Sequence, residues 1–461
     1  MQPILAICWL TWKAALRFKL FLVIAALLVL AVVGLPLVIK DDGTAQGFTQ
    51  IILTYTLSAI TALLGLSTLW LSCGTLARDI EECQVQVVAT KPIARWQIWL
   101  GKWLGIVSLN AVLLAISGGC VFGLLQWRAT KLPPAEQKNL REQVLVARGV
   151  AKQQNYDAQI DAETKRIFDD RMKNAPVEPI DQQEVYKQIR ERVKGDFQLL
   201  APGYPRPWQI DLGFAKNFLQ DKPLQLRVKF NAANKSASGT FLIAWQVGSI
   251  GTTNYWQSEP MSMAPDTAYE FRIPPNLFDK NGVLTIVAAN YSDTALLFPL
   301  DDGIEVLYPE GGFALNFIRG LGIIFFWLSL IAAMGLMAAS FLSFPVATFF
   351  SLALLTVVMS SGTLADSIDS GSVAAGNEET GQAGHSVMDV VLLPAFKGVL
   401  SVIKLVQNFS PIDALSTGRS ISWAELGLAF TQIVLILGGF FSLIGIICFN
   451  RRELATAQGT Q

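Results

Sequence analysis

Apolar residues along this chain gather into runs too long for the interior of a soluble domain. Leu20–Ile39, Ile51–Cys73, Trp103–Trp127, Ile318–Phe341, Val346–Leu364 and Leu426–Cys448 each approach or exceed the about 20 residues that cross a bilayer as a helix. The first run follows Lys13, Arg17 and Lys19. It is longer than the apolar part of a signal peptide and lacks a small-residue cleavage site, so it predicts an uncleaved anchor. The pattern predicts a polytopic α-helical membrane protein with six transmembrane helices.

Between the third and fourth runs the pattern changes twice. Residues 128–200 are rich in Glu, Lys, Gln and Arg and predict two or three helices broken at Asn174–Pro179. Asp181 to Glu184 has the form of a capping box, and Val185, Ile189, Val193 and Phe197 make one apolar stripe at i+4 spacing. From Pro202 the period becomes two. Leu224, Leu226, Val228 and Phe230 alternate with Gln225, Arg227 and Lys229, and strand-like runs follow at Phe241–Val247, Ala268–Ile273, Val283–Ala289, Thr294–Phe298 and Ile304–Tyr308. Turns at Asn281-Gly282 and Asp302-Gly303 complete the expectation of a small antiparallel β-sandwich over 201–312. The insert is thus an α+β domain, a helical segment followed by a sandwich.

The remaining divisions are 1–127, holding an interfacial N-terminal helix and the first three spans, and 313–461, holding the last three. Gly, Ser, Asp and Glu fill Ala365–Gly384. Residues 391–409 then predict an interfacial or re-entrant helix, with Phe396, Val399, Leu400, Ile403 and Val406 on one face and Lys397, Ser401, Lys404 and Asn408 on the other. Pro394 and Gly398 argue against a seventh span.

Composition agrees with this class. The 461 residues are 52% hydrophobic and only 16% charged, against about 25% in soluble domains. Mean hydropathy is +0.42. Net charge is zero, so nothing points to nucleic acid. Lys13, Arg17 and Lys19 flank the first span, Arg78, Lys91, Arg95 and Lys102 lie between the second and third, and Arg451 and Arg452 follow the last, which predicts cytoplasmic termini and an external insert. Cys8, Cys73, Cys83, Cys120 and Cys448 all lie outside the insert; they read as buried thiols, not as a disulfide framework or a zinc site.

Catalytic chemistry is hard to find. There is no phosphate-binding Gly-x-x-x-x-Gly-Lys-Ser/Thr, and the single histidine, His385, lies in a polar loop. Gly118-Gly119 and Gly311-Gly312 suit helix packing and a turn. Asp301, Asp302 and Glu270 could bind calcium but read more simply as solvated acids, and Asn290-Tyr-Ser292 has the form of a glycosylation sequon. Within the spans the conspicuous polar residues are Asn110, Ser117, Thr431 and Gln432. Ion-driven transporters need ionisable groups at that depth, so a self-powered carrier is disfavoured and any energy must enter from another subunit.

The receiving element on the cytoplasmic side is Arg78–Lys102. It begins with Arg78, Asp79, Glu81 and Glu82, has an apolar middle at Val85, Val87 and Val88, and returns through Pro92, Arg95, Gly101 and Lys102. It predicts a short amphipathic helix on the membrane surface, suited to seating against a soluble partner.

These residues resemble the ABC-2-type permeases, the membrane subunits of ATP-binding-cassette exporters. The likeness lies in the Trp12–Arg17 lead, similar to an interfacial elbow helix; in Arg78–Glu82 followed by Lys91-Pro92, Arg95 and Gly101-Lys102, similar to a coupling segment; and in the ending Phe449-Asn-Arg-Arg-Glu-Leu454. It covers the membrane half only. Gln84-Val-Gln86 stands where the family commonly has Gly-Thr, and the insert lies outside the minimal six-helix permease. The resemblance implies a permease subunit in a bacterial cytoplasmic membrane, coupled to a separate ATPase subunit by Arg78, Asp79, Glu81, Glu82, Pro92, Arg95, Gly101 and Lys102. It implies a second permease copy or paralogue, no cofactor in this chain, and ATP with magnesium in the partner. Here Glu81, Glu82 and Arg95 would face the ATPase, Pro92 would end the short helix, and the Lys102 ammonium would sit among headgroups. Two other classes fit the residues: a membrane-anchored scaffold whose external domain recruits a glycan or protein, and, less well, a membrane enzyme.

Overall fold

Apolar helices build one of two units, Met1–Ala147 with Gly311–Gln461; the other is Arg148–Glu310. The computed structural model describes residues 2–17, 19–38, 44–83, 93–140, 144–174, 182–234, 239–248, 254–362 and 387–452.

The helices of the first unit are α1 (Gln2–Arg17), α2 (Lys19–Val38), α3 (Ala45–Glu81), α4 (Arg95–Ala129), α5 (Pro134–Asn139), and then, after the insert, α8 (Phe313–Phe341), α9 (Phe344–Met359), α10 (Val387–Gln407), α11 (Pro411–Ser416) and α12 (Trp423–Arg451). Among the described residues four are long and apolar enough to cross a membrane: α3 over Thr49–Glu81, α4, α8 and α12. The two other expected spans correspond to shorter apolar helices, Val23–Pro36 within α2 and the whole of α9. Of the six expected spans, four thus form as membrane-length helices and two as shorter apolar ones. At 16 residues α9 is about 24 Å long.

Packing explains which helix lies where. α8 is the most enclosed, with Ala332, Ala333, Leu336, Ala338 and Ala339 fully buried. Its small side chains let neighbours approach at backbone distance, as helices in a bilayer require. A Cβ on Gly335 would collide with Ser72 of α3, and one on Gly118 of α4 would lie 2.5 Å from Leu321. Hydroxyls inside the bundle return to their own helices: Thr56, Thr68 and Ser340 donate to the carbonyls four residues back at 2.6, 2.6 and 2.8 Å. Asn110 donates across to Thr68 Oγ1 at 2.8 Å. Of the cysteines, Cys73 is buried as expected, whereas Cys83 and Cys120 are exposed, because Cys83 follows the end of α3 and Cys120 lies on an outer face of α4.

α10 carries the expected two faces. Leu400 and Ile403 are buried while Lys397, Ser401 and Lys404 are exposed; Val399 departs, being exposed. α12 is peripheral and contains a π-helical stretch, Phe430–Gly438, which holds both polar residues singled out in this span. Thr431 donates to Gly427 O at 2.9 Å, and Gln432 Oε1 is buried without a hydrogen-bond partner.

The second unit opens with an unexpected strand. Residues 128–200 were read as helical, yet α4 runs to Ala129, α5 is short, and Val146–Lys152 is strand β1. Only then come α6 (Asp157–Asn174) and α7 (Gln182–Gln198); the break at 175–181 and the capping position Asp181 lie outside the described residues. Ile189 and Val193 of the predicted stripe are buried against Ile160, with Val185 and Phe197 packed beside them. Short β2 (Leu199–Leu200) then leads to β3 (Pro205–Asp211), β4 (Leu224–Val228), β5 (Asn231–Ala232), β6 (Phe241–Gly248), β7 (Tyr255–Gln257), β8 (Met261–Met263), β9 (Tyr269–Ile273), β10 (Val283–Asn290), β11 (Leu296–Leu297) and β12 (Ile304–Gly312).

Two larger sheets, β1-β12-β4-β9 and β3-β10-β6-β7 with β8 also on β6, accompany a small third, β2-β11-β5. Pairing is antiparallel wherever its register is described, for example Val283 opposite Asp211 and Leu224 opposite Ile273. One core joins the sheets: Leu224, Leu226, Val228 and Val306 from the first, Trp208, Phe241, Trp245 and Ile286 from the second, and Leu200 and Leu296 from the third. Arg206 ties the helices to this core by donating to Phe197 O and Leu199 O at 2.5 and 2.6 Å, and burial pushes its guanidinium below its ordinary pKa.

Candidate functional site

The ends of α3 and α4 that flank residues 82–94 were expected to form a surface segment. Instead Arg78, Asp79 and Glu81 belong to the last turns of α3, and Arg95, Gly101 and Lys102 to the first turns of α4. Pro92 and the apolar middle at Val85–Val88 lie outside the described residues. The reason lies in what the charged side chains touch.

Lys102 is the clearest case. Its side chain is only 8% exposed, and its ammonium donates to Asp79 Oδ2 at 2.5 Å and to Thr75 O at 2.8 Å. Expected among headgroups, it instead bridges α3 and α4 from inside the unit. A buried ammonium is tolerable only with such partners. Asp79, 34% exposed, holds the outer side of the pair.

Arg95 works at a helix end. Its Nη1 donates to Phe449 O, Asn450 O and Arg452 O at 3.1, 2.8 and 2.9 Å, so a cation closes the C-terminus of α12 where carbonyls lack intrahelical partners. Arg452 repeats this on α8, donating to Ala339 O and Ser340 O at 3.4 and 3.2 Å. Glu81 does the converse, accepting from Phe344 N at 2.9 Å at the N-terminus of α9, where a carboxylate is favoured. The Arg78 guanidinium lies 4.4 Å from the centre of the Phe344 ring. Arg95 and Glu81 were expected to face a soluble partner; both are engaged within the unit. Glu82, which follows the last turn of α3, is exposed.

Gly101 has a packing role. A Cβ there would stand 2.8 Å from Ile7 Cβ and 3.0 Å from Ile4 O, and one on Gly105 would stand 2.7 Å from Thr11 Cβ. One turn on, Ser108 accepts from Trp12 Nε1 at 2.9 Å. Successive contacts advance together along both helices, so α1 runs beside the first turns of α4 in the same direction. Its outer face keeps Leu5, Trp9, Leu10 and Leu16 exposed.

The charged set therefore joins the ends of α3, α4, α8, α9 and α12 at one end of the unit. Sequence reasoning missed Thr75, Gly105 and the capping role of Arg452. Gly105 was visible as a second small residue four positions after Gly101; Thr75 contributes a backbone carbonyl, which no side-chain pattern announces.

Other candidates resolve differently. Asn290 of the sequon is buried and donates to Thr294 O at 2.8 Å while its Oδ1 accepts from Ser292 N at 2.9 Å, so it holds a turn. Glu270 pairs with Arg148 at 2.8 Å and Asp302 with Lys229 at 3.2 Å, so those acids do not converge. Among the described residues no three His, Cys, Asp or Glu side chains gather as metal ligands, and His385 lies outside them. Comparison of the chain with protein-family models, with curated proteins and with solved structures returns no match.

Proposed function

We propose that this membrane protein is the permease subunit of an ATP-binding-cassette transporter, an exporter driven by a separate ATP-binding subunit. The reading combines the motif resemblance with one observation. Residues 82–94 link two helices whose adjoining ends are fastened, through Asp79–Lys102, Arg95, Glu81 and Arg452, to three further helices. A partner that displaces this link would move five helix ends as one body, because ion pairs and helix-end bonds at this spacing leave little slack. Such stiffness is what transmission of nucleotide-driven closure needs. On this reading α2 and α9 complete six spans, the linked ends and both termini are cytoplasmic, and a second permease copy or paralogue completes the transporter. ATP and magnesium belong to the partner, and the 148–310 unit is external.

Glu82 takes the direct contact in this scheme, and Arg95 acts by holding α12. The test is co-purification of an ATPase subunit in mild detergent, with ATP hydrolysis measured on the complex. Glu82→Lys should weaken association, Arg95→Glu should lower both association and thermal stability, and Lys397→Glu with Lys404→Glu should change neither. Full association and stimulation in both Glu82→Lys and Arg95→Glu would overturn the coupling role. A second reading, a membrane-anchored scaffold recruiting a glycan or protein, draws on the separate core of the 148–310 unit. It would be favoured if no ATPase accompanies the full-length protein.

A further inference from the structure

The turn after β3 presents apolar surface to water in a rigid form. It is a 3-10 turn, Gly213–Asn217, in which Phe214 is 93% exposed and Phe218, just after it, 44% exposed. Its backbone is fixed on all sides. Leu212, Ala215 and Leu219 are buried in the sandwich core or beside it. Leu212 N donates to Gly282 O at 2.9 Å, and Gly213 N donates to Asp211 Oδ1 at 2.8 Å with Gly213 at φ +53, a conformation glycine adopts without strain. Lys216 Nζ donates to Asn281 O at 3.2 Å, and Asp221 and Asn276 hold each other through two hydrogen bonds. The phenyl rings are therefore held outward by an anchored scaffold. Two cations accompany them: Lys216, and Lys222, whose ammonium lies 5.8 Å from the Phe218 ring centre.

The place of this turn within the unit says what it meets. The Phe218 ring lies 6.2 Å from that of Tyr308 on β12, and Tyr308 in turn covers Gly149 on β1. Tyr308 stands five residues before Phe313, the first residue of the apolar helix α8, with no linker between β12 and α8. At about 3.4 Å per extended residue that distance is at most about 17 Å of chain. The aromatic turn thus sits at the end of the sandwich from which the chain passes into a membrane-length helix. Aromatic rings flanked by lysines are the side chains that favour the headgroup layer, rings among the upper acyl carbons and ammonium groups among phosphates.

We propose that Phe214 and Phe218, with Lys216 and Lys222, form a bilayer-anchoring wedge that seats the 148–310 unit on the membrane surface. The occupant is the phospholipid interface. Tyr204 and Tyr291, 72% and 62% exposed, lie at the opposite ends of β3 and β10 and stay in water.

The test uses the full-length protein in phospholipid vesicles containing anionic lipid, with native cysteines replaced and one environment-sensitive fluorophore placed by Phe214→Cys, Phe218→Cys, Tyr204→Cys or Tyr291→Cys. All four sites are exposed, so the substitutions leave the core intact. At Phe214 and Phe218 the fluorophore should be quenched by nitroxide carried on the lipid chain and should be several-fold less sensitive to aqueous iodide than at Tyr204 and Tyr291. Lys216→Glu with Lys222→Glu should shift the Phe214 signal toward iodide sensitivity. Equal iodide quenching at Phe214 and Tyr291 would overturn the proposal. So would shielding from both quenchers, which would instead mean that protein covers the turn.

Discussion

The Asp79–Lys102 pair allows a quantitative test of how this end of the helices is held. Removing one partner of a buried pair costs about 3–5 kcal/mol, because the survivor keeps its charge without compensation. The two partners are not equivalent here. Lys102 is 8% exposed and would retain only Thr75 O, whereas Asp79 is 34% exposed and can be rehydrated. Asp79→Ala should therefore lower unfolding free energy by about 2–4 kcal/mol, toward the lower part of the buried-pair range because water can enter beside the lost carboxylate. Lys102→Met keeps the apolar stem and leaves an acid that water reaches, so its cost should be about 1 kcal/mol or less. The double variant should resemble Lys102→Met alone, so the favourable coupling in a double-mutant cycle equals the Asp79→Ala cost, about 2–4 kcal/mol. Equilibrium unfolding in mixed micelles supplies the free energies, with hydrogen exchange over 95–105 to localise the effect. Equal losses in the two single variants, or no loss in Asp79→Ala, would show that the ammonium is not enclosed as described and would refute the reasoning.

Three further outcomes follow from the same contacts. Gly101→Val should separate α1 from α4 and destabilise the protein by about 1–3 kcal/mol, read as loss of a cysteine cross-link between the two helices. Arg95→Gln should weaken the end of α12 by about 1–2 kcal/mol and speed hydrogen exchange at 449–452 while leaving 423–430 unchanged. In the 148–310 unit Trp245→Ala should cost about 3–5 kcal/mol, since this ring is fully buried between Phe271 and Phe298, and urea titration of the isolated unit should show one cooperative transition that shifts accordingly.

Much of the architecture was legible because periodicity and burial report the same physics. The alternation at Leu224, Leu226 and Val228 became a strand with those residues fully buried, and the i+4 stripe through Ile189 and Val193 became the inner face of α7. β1 was missed because its sequence, VARGVAK, carries little apolar alternation; partners, not propensity, make it a strand, with Gly149 admitting the Tyr308 ring. β3 was missed because Pro205 and Pro207 argue against a ladder. They are tolerated because β3 is an edge strand that pairs with β10 alone among the strands of its sheet. At the candidate site the charged residues could be named, but their roles could not. Arg95 and Glu81 look the same in sequence whether they face a partner or close a helix.

By itself the sequence determined that several segments must be buried in an apolar medium as helices, and that an alternating domain separates them. Those properties are local sums over neighbouring side chains. Tertiary structure alone decided that Arg95 meets the carbonyls of Phe449 and Asn450, that Glu81 meets the amide of Phe344, and that Lys102 is enclosed with Asp79. A hydrogen bond depends on which group lies within about 3 Å. For residues separated by hundreds of positions, only the packing of the helices fixes that distance.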